Sequence, residues 1–227
     1  MMTRFPLFPR LQPLAFVALA ACPACGIEPA PLAAGSPSAV EAVVRPQKPP
    51  ASSVGRAAAK RPDPRYRPPA GLSELKAIAG EVARASGRKI GWRLQTGANP
   101  GPLVRIRGNV DDCTIYVHPV AARKVPPNTW AFLFGHEFAH MTENLGVHSA
   151  TSPANELKAD IVGARYAMAA GYRIEAFLGW VLTEPNTQTS SHGSLHRRVK
   201  DIAAHFRIPQ ATIQEQARRA SRYRATH

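Results

Sequence analysis

Pro126-Pro127-Asn128-Thr129-Trp130-Ala131-Phe132-Leu133-Phe134-Gly135-His136-Glu137-Phe138-Ala139-His140 reads as a helix with an apolar back and a chemical front. Asn128 or Thr129 suits its N-cap, and Gly146 suits its stop. Trp130, Leu133, Phe134 and Phe138 supply the side to be buried. Residues four apart on a helix lie about 40° from each other around the axis, so His136 and His140 project from one face. Two imidazoles so placed can bind one Zn²⁺ through nitrogens at about 2.0–2.1 Å. Glu137 stands one step beside the first ligand. It is not itself a ligand, but it is close enough to take a proton from a water at the metal's open position and pass it to a leaving amine. The bland alternative is a structural helix that happens to carry two surface histidines.

A catalytic zinc site needs a third protein ligand and one open position. The local pattern His-Glu-x-x-His-x-x-Gly-x-x-His would supply it, but Glu143 and Gly146 occupy the last two defining positions, which excludes the metzincin arrangement. The next helix offers Asn155-Glu156-Leu157-Lys158-Ala159-Asp160. Glu156 and Asp160 share a face. One can coordinate the metal while the other accepts the free N–H of a ligating histidine, fixing the ring and raising its basicity. His148 is a further candidate for the third ligand.

A helix with His-Glu-x-x-His followed by one with Glu-x-x-Ala-Asp resembles the gluzincin metallopeptidases, in particular the group with the CAAX prenyl protease, the HtpX-type stress proteases and small soluble relatives. The resemblance implies a zincin-like fold, Glu156 as third zinc ligand and Asp160 as the carboxylate behind a ligating histidine. It extends to His192-Gly193-Ser194-Leu195-His196-Arg197-Arg198, where a histidine is followed six positions later by an arginine. By resemblance His192 would help stabilise the oxyanion, and Arg198 would support the partner carboxylate or the oxyanion. The likeness covers about residues 125–205. Gly193 stands where the family usually has proline, only 15 residues separate His140 from Glu156, and no membrane helices surround the motif.

Around this core the pattern is α+β: strands first, helices afterwards. Helix periodicity runs from Gly71 to Gly87. Ile90–Leu94, Leu103–Arg107 and Cys113–His118 read as strands. Ser152 or Thr151 can cap the second metal-site helix, with Pro153 at its first position and an end at Gly171. Further helices cover Arg173–Leu182, Leu195–Phe206 and a segment after Pro209. Ile115–Val117 is a candidate substrate edge by strand addition. His118 reads as structural or at the substrate edge, His196 and His205 as solvent-facing or packed on their helix, Tyr166 and Tyr172 as core residues with a cleft hydrogen bond as the alternative, and Trp130 and Trp180 as core.

The first third of the chain is built differently, with 14 of the 22 prolines in residues 1–70. Arg4 and Arg10 precede the apolar stretch Leu14–Ala21, which is too short to span a membrane and right for a signal peptide. Leu19-Ala20-Ala21-Cys22 resembles the bacterial lipobox, implying removal of residues 1–21 and a lipid on Cys22. Ordinary cleavage after Ala18-Leu19-Ala20 would instead give a soluble secreted protein. Residues 22–70 read as a Pro/Ala-rich linker, spanning roughly 35–40 Å if flexible. Residues 71–227 form the catalytic domain of this reading. Three cysteines exclude a disulfide scaffold, although Cys25 and Cys113 can pair in an oxidising compartment. The Cys22-Pro23-Ala24-Cys25 spacing lacks the folded context that a redox pair needs.

The net charge is +14. In an exported chain this points to anionic lipids and wall polymers, not nucleic acid. Arg218, Arg219, Arg222 and Arg224 lie on a helical tail, as a solvated face or a surface anchor. The chain therefore reads as a zinc endopeptidase of the bacterial cell envelope. It would be held at the membrane through Cys22, at the outer membrane facing the periplasm, and would act on protein or peptide substrates. Two rivals are a non-hydrolytic zinc-binding lipoprotein acting as a regulatory module, and a metal-free envelope module that binds through its basic surface.

Overall fold

The computed structural model describes residues 66–97, 103–146, 151–189 and 193–226. Cys22, Cys25, His148 and His192 lie outside them, as does the whole proposed signal and nearly all of the linker. The elements run α1 (Leu72–Ala85), β1 (Trp92–Thr96), β2 (Val104–Gly108), β3 (Cys113–Val117), α2 (Ala121–Lys124), α3 (Pro127–Thr142), α4 (Pro153–Ala169), α5 (Ile174–Leu182), β4 (Gln188–Thr189), β5 (Gly193–Ser194), α6 (Leu195–His205) and α7 (Gln210–Thr226). The class is α+β, with a small sheet and a predominantly helical remainder.

The sheet order is β1-β3-β2, with β1 parallel and β2 antiparallel to β3. Asn109 makes the β2–β3 turn, its Oδ1 accepting from the amides of Asp111 and Asp112 at 2.9 and 3.0 Å. Alternation sends Leu94, Val104, Ile106, Cys113, Ile115 and Val117 into the core. β3 is paired on both sides, so Ile115–Val117 has no free edge and cannot add a substrate strand as its sequence suggested.

Helix α3 occupies the centre, packing against α1, α4 and α5. Trp130, Phe132, Phe134 and Phe138 are all fully buried, and the Phe132 and Phe177 rings stack at 3.6 Å. Burying each such ring contributes roughly 1.5–3 kcal/mol, so α3 is held by its back and sides. Its start differs from the sequence reading. Pro126 is the N-cap, with no side-chain cap, and Asn128 instead accepts from the Arg173 amide at 2.8 Å, docking the start of α5. Ser152 caps α4 as expected, accepting from the Asn155 amide.

The folded unit begins earlier than residue 71. Tyr66 Oη lies within hydrogen-bond reach of the carbonyl oxygens of Ala176 (3.0 Å) and Gln216 (3.1 Å), and its ring sits beside Trp180 and Tyr223. Helices α5 and α7 meet closely at the same place: a Cβ on Gly179 would stand 2.4 Å from Gln216 Cβ.

Candidate metal centre

Helices α3 and α4 bring the site together. On α3, Gly135 precedes His136. On α4, Glu156, Asp160 and Gly163 fall on one face at spacings of four and three. A Cβ on Gly135 would lie 2.4 Å from the Gly163 carbonyl oxygen, and a Cβ on Gly163 would lie 2.4 Å from the His136 nitrogen. The two backbones therefore touch one turn from the donors. Ala139 and Ala159, both fully buried, keep the adjoining turns close. Sequence reasoning missed this glycine pair. The available signal was two glycines inside helices, where each costs about 1 kcal/mol relative to alanine.

Three donor side chains converge across this seam. His136 Nε2 is 3.1 Å from His140 Nε2 and 3.4 Å from Glu156 Oε2, and His140 Nε2 is 3.4 Å from Glu156 Oε1. Each imidazole has an acceptor at its other nitrogen: Asp160 Oδ1 lies 2.9 Å from His136 Nδ1, and the Gly146 carbonyl 2.7 Å from His140 Nδ1. A ring that donates from Nδ1 turns the lone pair of Nε2 inward. Two inward lone pairs and a carboxylate repel one another unless a cation lies between them. A tetrahedral metal with bonds of about 2.0–2.1 Å spaces its ligands about 3.3–3.4 Å apart; here the imidazole nitrogens stand 3.1 Å apart and each lies 3.4 Å from one of the two Glu156 oxygens. His136, His140 and Glu156 thus form a buried group positioned to bind a metal ion.

Glu156 lies in the first turn of α4, where the helix dipole favours its charge. The connection from α3 is short but sufficient: Asn155 Nδ2 donates to the Leu145 carbonyl at 2.9 Å, tying the loop to the start of α4. Asp160 is not a ligand. Its Oδ1 accepts from His136, and both its oxygens accept from Arg198, at 2.7 Å to Nε and 2.7 Å to Nη2. Arg198, from α6, also approaches Glu156 Oε2 at 3.5 Å. Its guanidinium is thus engaged by both carboxylates of the site. His192 is outside the described residues.

The electrostatics match a cation site. Burial alone would lower the His136 pKa, but hydrogen bonds to Asp160 and Glu156 outweigh it and push it up to about 10. Burial would raise Glu156, yet its hydrogen bonds with His136 and His140 hold it well below the usual carboxylate range. Asp160 is also held low, the Arg198 charge and the His136 bond overcoming its burial. A proton thus takes the central place when no cation does.

Glu137, the neighbour of His136 on α3, is 2% exposed, and its Oε1 has no hydrogen-bond partner among the described residues. A buried polar atom left in this way is rare outside functional sites.

The other described histidines lie outside the donor group. His118 Nδ1 accepts from the Val120 and Ala121 amides at the start of α2, His196 Nε2 donates to the Glu184 carbonyl, and His205 contacts Arg165. Cys113 is buried in β3, where burial pushes its thiol up to about 11.

Compared with protein-family models, curated proteins and solved structures, the chain matches none.

Proposed function

We propose that this chain is a zinc-dependent peptidase with a zincin-like fold, in keeping with its resemblance to the gluzincins. The observation that carries the reading is the convergence of two inward-facing imidazole nitrogens and one carboxylate, with the nitrogens 3.1 Å apart and each 3.4 Å from a carboxylate oxygen. Two histidines and a glutamate suit zinc, and three protein ligands instead of four leave a position for a reactant. When bound, the ion would polarise a substrate carbonyl and lower the pKa of an attacking water.

The chain's own residues do the rest. Glu137 accepts the proton of the attacking water at Oε1 and returns it to the departing amine. Asp160 accepts from His136 Nδ1, which keeps Nε2 aimed at the centre and makes it more basic. Arg198 holds the Asp160 carboxylate with two parallel hydrogen bonds, preventing it from swinging into the coordination position. His192, by resemblance alone, would steady the developing oxyanion.

The same proposal places the protein in a bacterial cell envelope, attached through Cys22. The support for this is the sequence around the Leu14–Cys22 segment.

The test is metal analysis of the purified chain together with hydrolysis of a peptide library with and without chelator. One zinc per chain, lost in His136→Ala and Glu156→Ala, with cleavage that chelator abolishes, is expected. Zinc without hydrolysis would favour a non-hydrolytic binding module. No stoichiometric metal would overturn the reading.

A further inference from the structure

The positive charge of the folded part is unevenly placed. Residues 86–124, from the end of α1 through α2, hold seven Lys/Arg and two Asp/Glu, a net of +5; the other 118 residues of 71–227 hold thirteen and ten, a net of +3. Pairing deepens the contrast. On α7, Arg218 and Arg219 share Glu215, and Arg224 pairs with buried Glu184 while lying 4.9 Å over Trp180. The late arginine cluster is thus largely engaged. Around the sheet, only Arg93 has a carboxylate partner among the described residues, Asp112 at 2.6 Å.

The outward face of the sheet carries the rest. Opposite the buried face lie Arg93 and Gln95 on β1, Thr114 and Tyr116 on β3, and Arg105 and Arg107 on β2. The guanidinium carbons of Arg105 and Arg107 stand 5.1 and 6.0 Å from the centre of the Tyr116 ring. Cation–π attraction holds both side chains over the middle strand, Arg107 exposed and Arg105 half-buried. Arg88 and Lys89 immediately precede β1, while Arg123 and Lys124 on α2 follow β3. Because β1 and β3 are parallel, these pairs lie at opposite ends of the sheet.

We infer that this face of the sheet is a docking surface for anionic phospholipid headgroups. Three features select that occupant. The partner must be negative, because the two central guanidinium groups have no carboxylate partner among the described residues. It must be flat, because a three-stranded sheet face bearing Thr114 and Gln95 between its arginines offers no groove. It does not stack on the aromatic, because Tyr116 is already covered by two arginines; this disfavours single-stranded nucleic acid, whose bases need an open ring. Each guanidinium can donate two hydrogen bonds to a phosphate, and Tyr116 is suited to the headgroup level. Docking in this way would orient the domain on the surface to which the N-terminal segment is proposed to tether it. The inference stands independently of the metal centre.

The experiment is co-sedimentation of the full chain with phosphatidylglycerol/phosphatidylcholine vesicles, against phosphatidylcholine alone to read any charge-independent contribution of residues 1–65. At about 1 kcal/mol per basic residue, and tenfold per about 1.4 kcal/mol, Arg105→Gln/Arg107→Gln should weaken the charge-dependent binding about thirtyfold. Each single variant should weaken it about fivefold on the same scale. Arg105→Lys/Arg107→Lys should retain most of it, Arg218→Gln/Arg219→Gln should leave it unchanged, and raising salt from about 0.1 to about 1 M should abolish it. Thermal melts confirm that each variant is folded. Wild-type binding by the double glutamine variant would overturn the inference. So would Arg105- and Arg107-dependent capture of an oligonucleotide or an acidic peptide with no binding to vesicles. Loss of metal in His136→Ala with vesicle binding intact would separate this surface from the peptidase reading.

Discussion

Gly163 rests directly on the backbone of His136: a single added methyl would stand 2.4 Å from the His136 nitrogen. The contact sets the distance between the helix that offers two imidazoles and the helix that offers two carboxylates. Gly163→Ala should therefore act on metal affinity as well as stability. Helix propensity favours alanine by about 1 kcal/mol, while overpacking opposes it by about 1–3 kcal/mol. The melting temperature should fall by several degrees and zinc affinity by at least about tenfold, as Glu156 and Asp160 are levered away. Gly80→Ala, whose new carbon would meet Trp92 at an ordinary 3.4 Å, is the control and should not lose affinity. Equal zinc affinity in Gly163→Ala and wild type would show that the seam does not govern the site.

Glu137→Gln keeps the volume and removes the base. Zinc content should be unchanged and peptide hydrolysis should fall by about 10²–10⁴. The buried Oε1 has no partner to lose, so the variant should be at least as stable as wild type. Scanning calorimetry and turnover on one preparation check both halves. Normal turnover would remove Glu137 from the mechanism.

Arg198 acts through Asp160, and its replacement should reveal that. Arg198→Lys preserves charge but not the two parallel bonds, so it should not rescue the site. Asp160→Asn should lower zinc affinity by about 10–100-fold while keeping any residual kcat within reach of wild type at saturating zinc. Zinc titration against activity separates the two effects. A fall in kcat at saturating zinc with unchanged affinity would instead make Asp160 a reacting group.

The pH dependence of stability should differ between the cation-free and the metal-bound chain. In the cation-free chain His136 is raised to about 10, so its contribution is complete below its ordinary value near 6.5 and is lost as pH climbs toward 10. Glu156 and Asp160 are lowered, so their contribution is present above the ordinary carboxylate range, about 4, and is lost on acidification. Chelated protein should melt highest at about pH 5–6.5 and lower at about pH 9. Zinc displaces the central proton, so the gain in melting temperature on adding it should grow as pH rises. A metal-free melting temperature that rises from about pH 6 to 9 would contradict the proton arrangement.

The donor set was legible because helical spacing is rigid. His136, His140, Glu156 and Asp160 are two pairs four apart, and that alone puts each pair on one face. Ser152 and Pro153 marked the start of α4 by local chemistry. What was not legible depends on contacts distant in sequence. The order β1-β3-β2 puts the last strand in the middle, and nothing in Cys113–Val117 announces neighbours on both sides. Asn128 has the composition of a cap, but a tertiary bond to Arg173 claims its side chain. Arg198 left two roles open until α6 was packed against α4. Tyr66 sits among prolines and reads as linker, yet it buries its ring against helices more than a hundred residues away.

Tyr66 also determines where a mechanical load enters the molecule. Any tension along the segment before it would be delivered at this ring and carried to Ala176 on α5 and Gln216 on α7. The helices that furnish His136, His140 and Glu156 receive no bond from it among the described residues. A pull would have to strip Tyr66 from its berth, and loosen the α5–α7 contact at Gly179, before it disturbed the donors, so the coordination geometry is shielded from a load applied at that end.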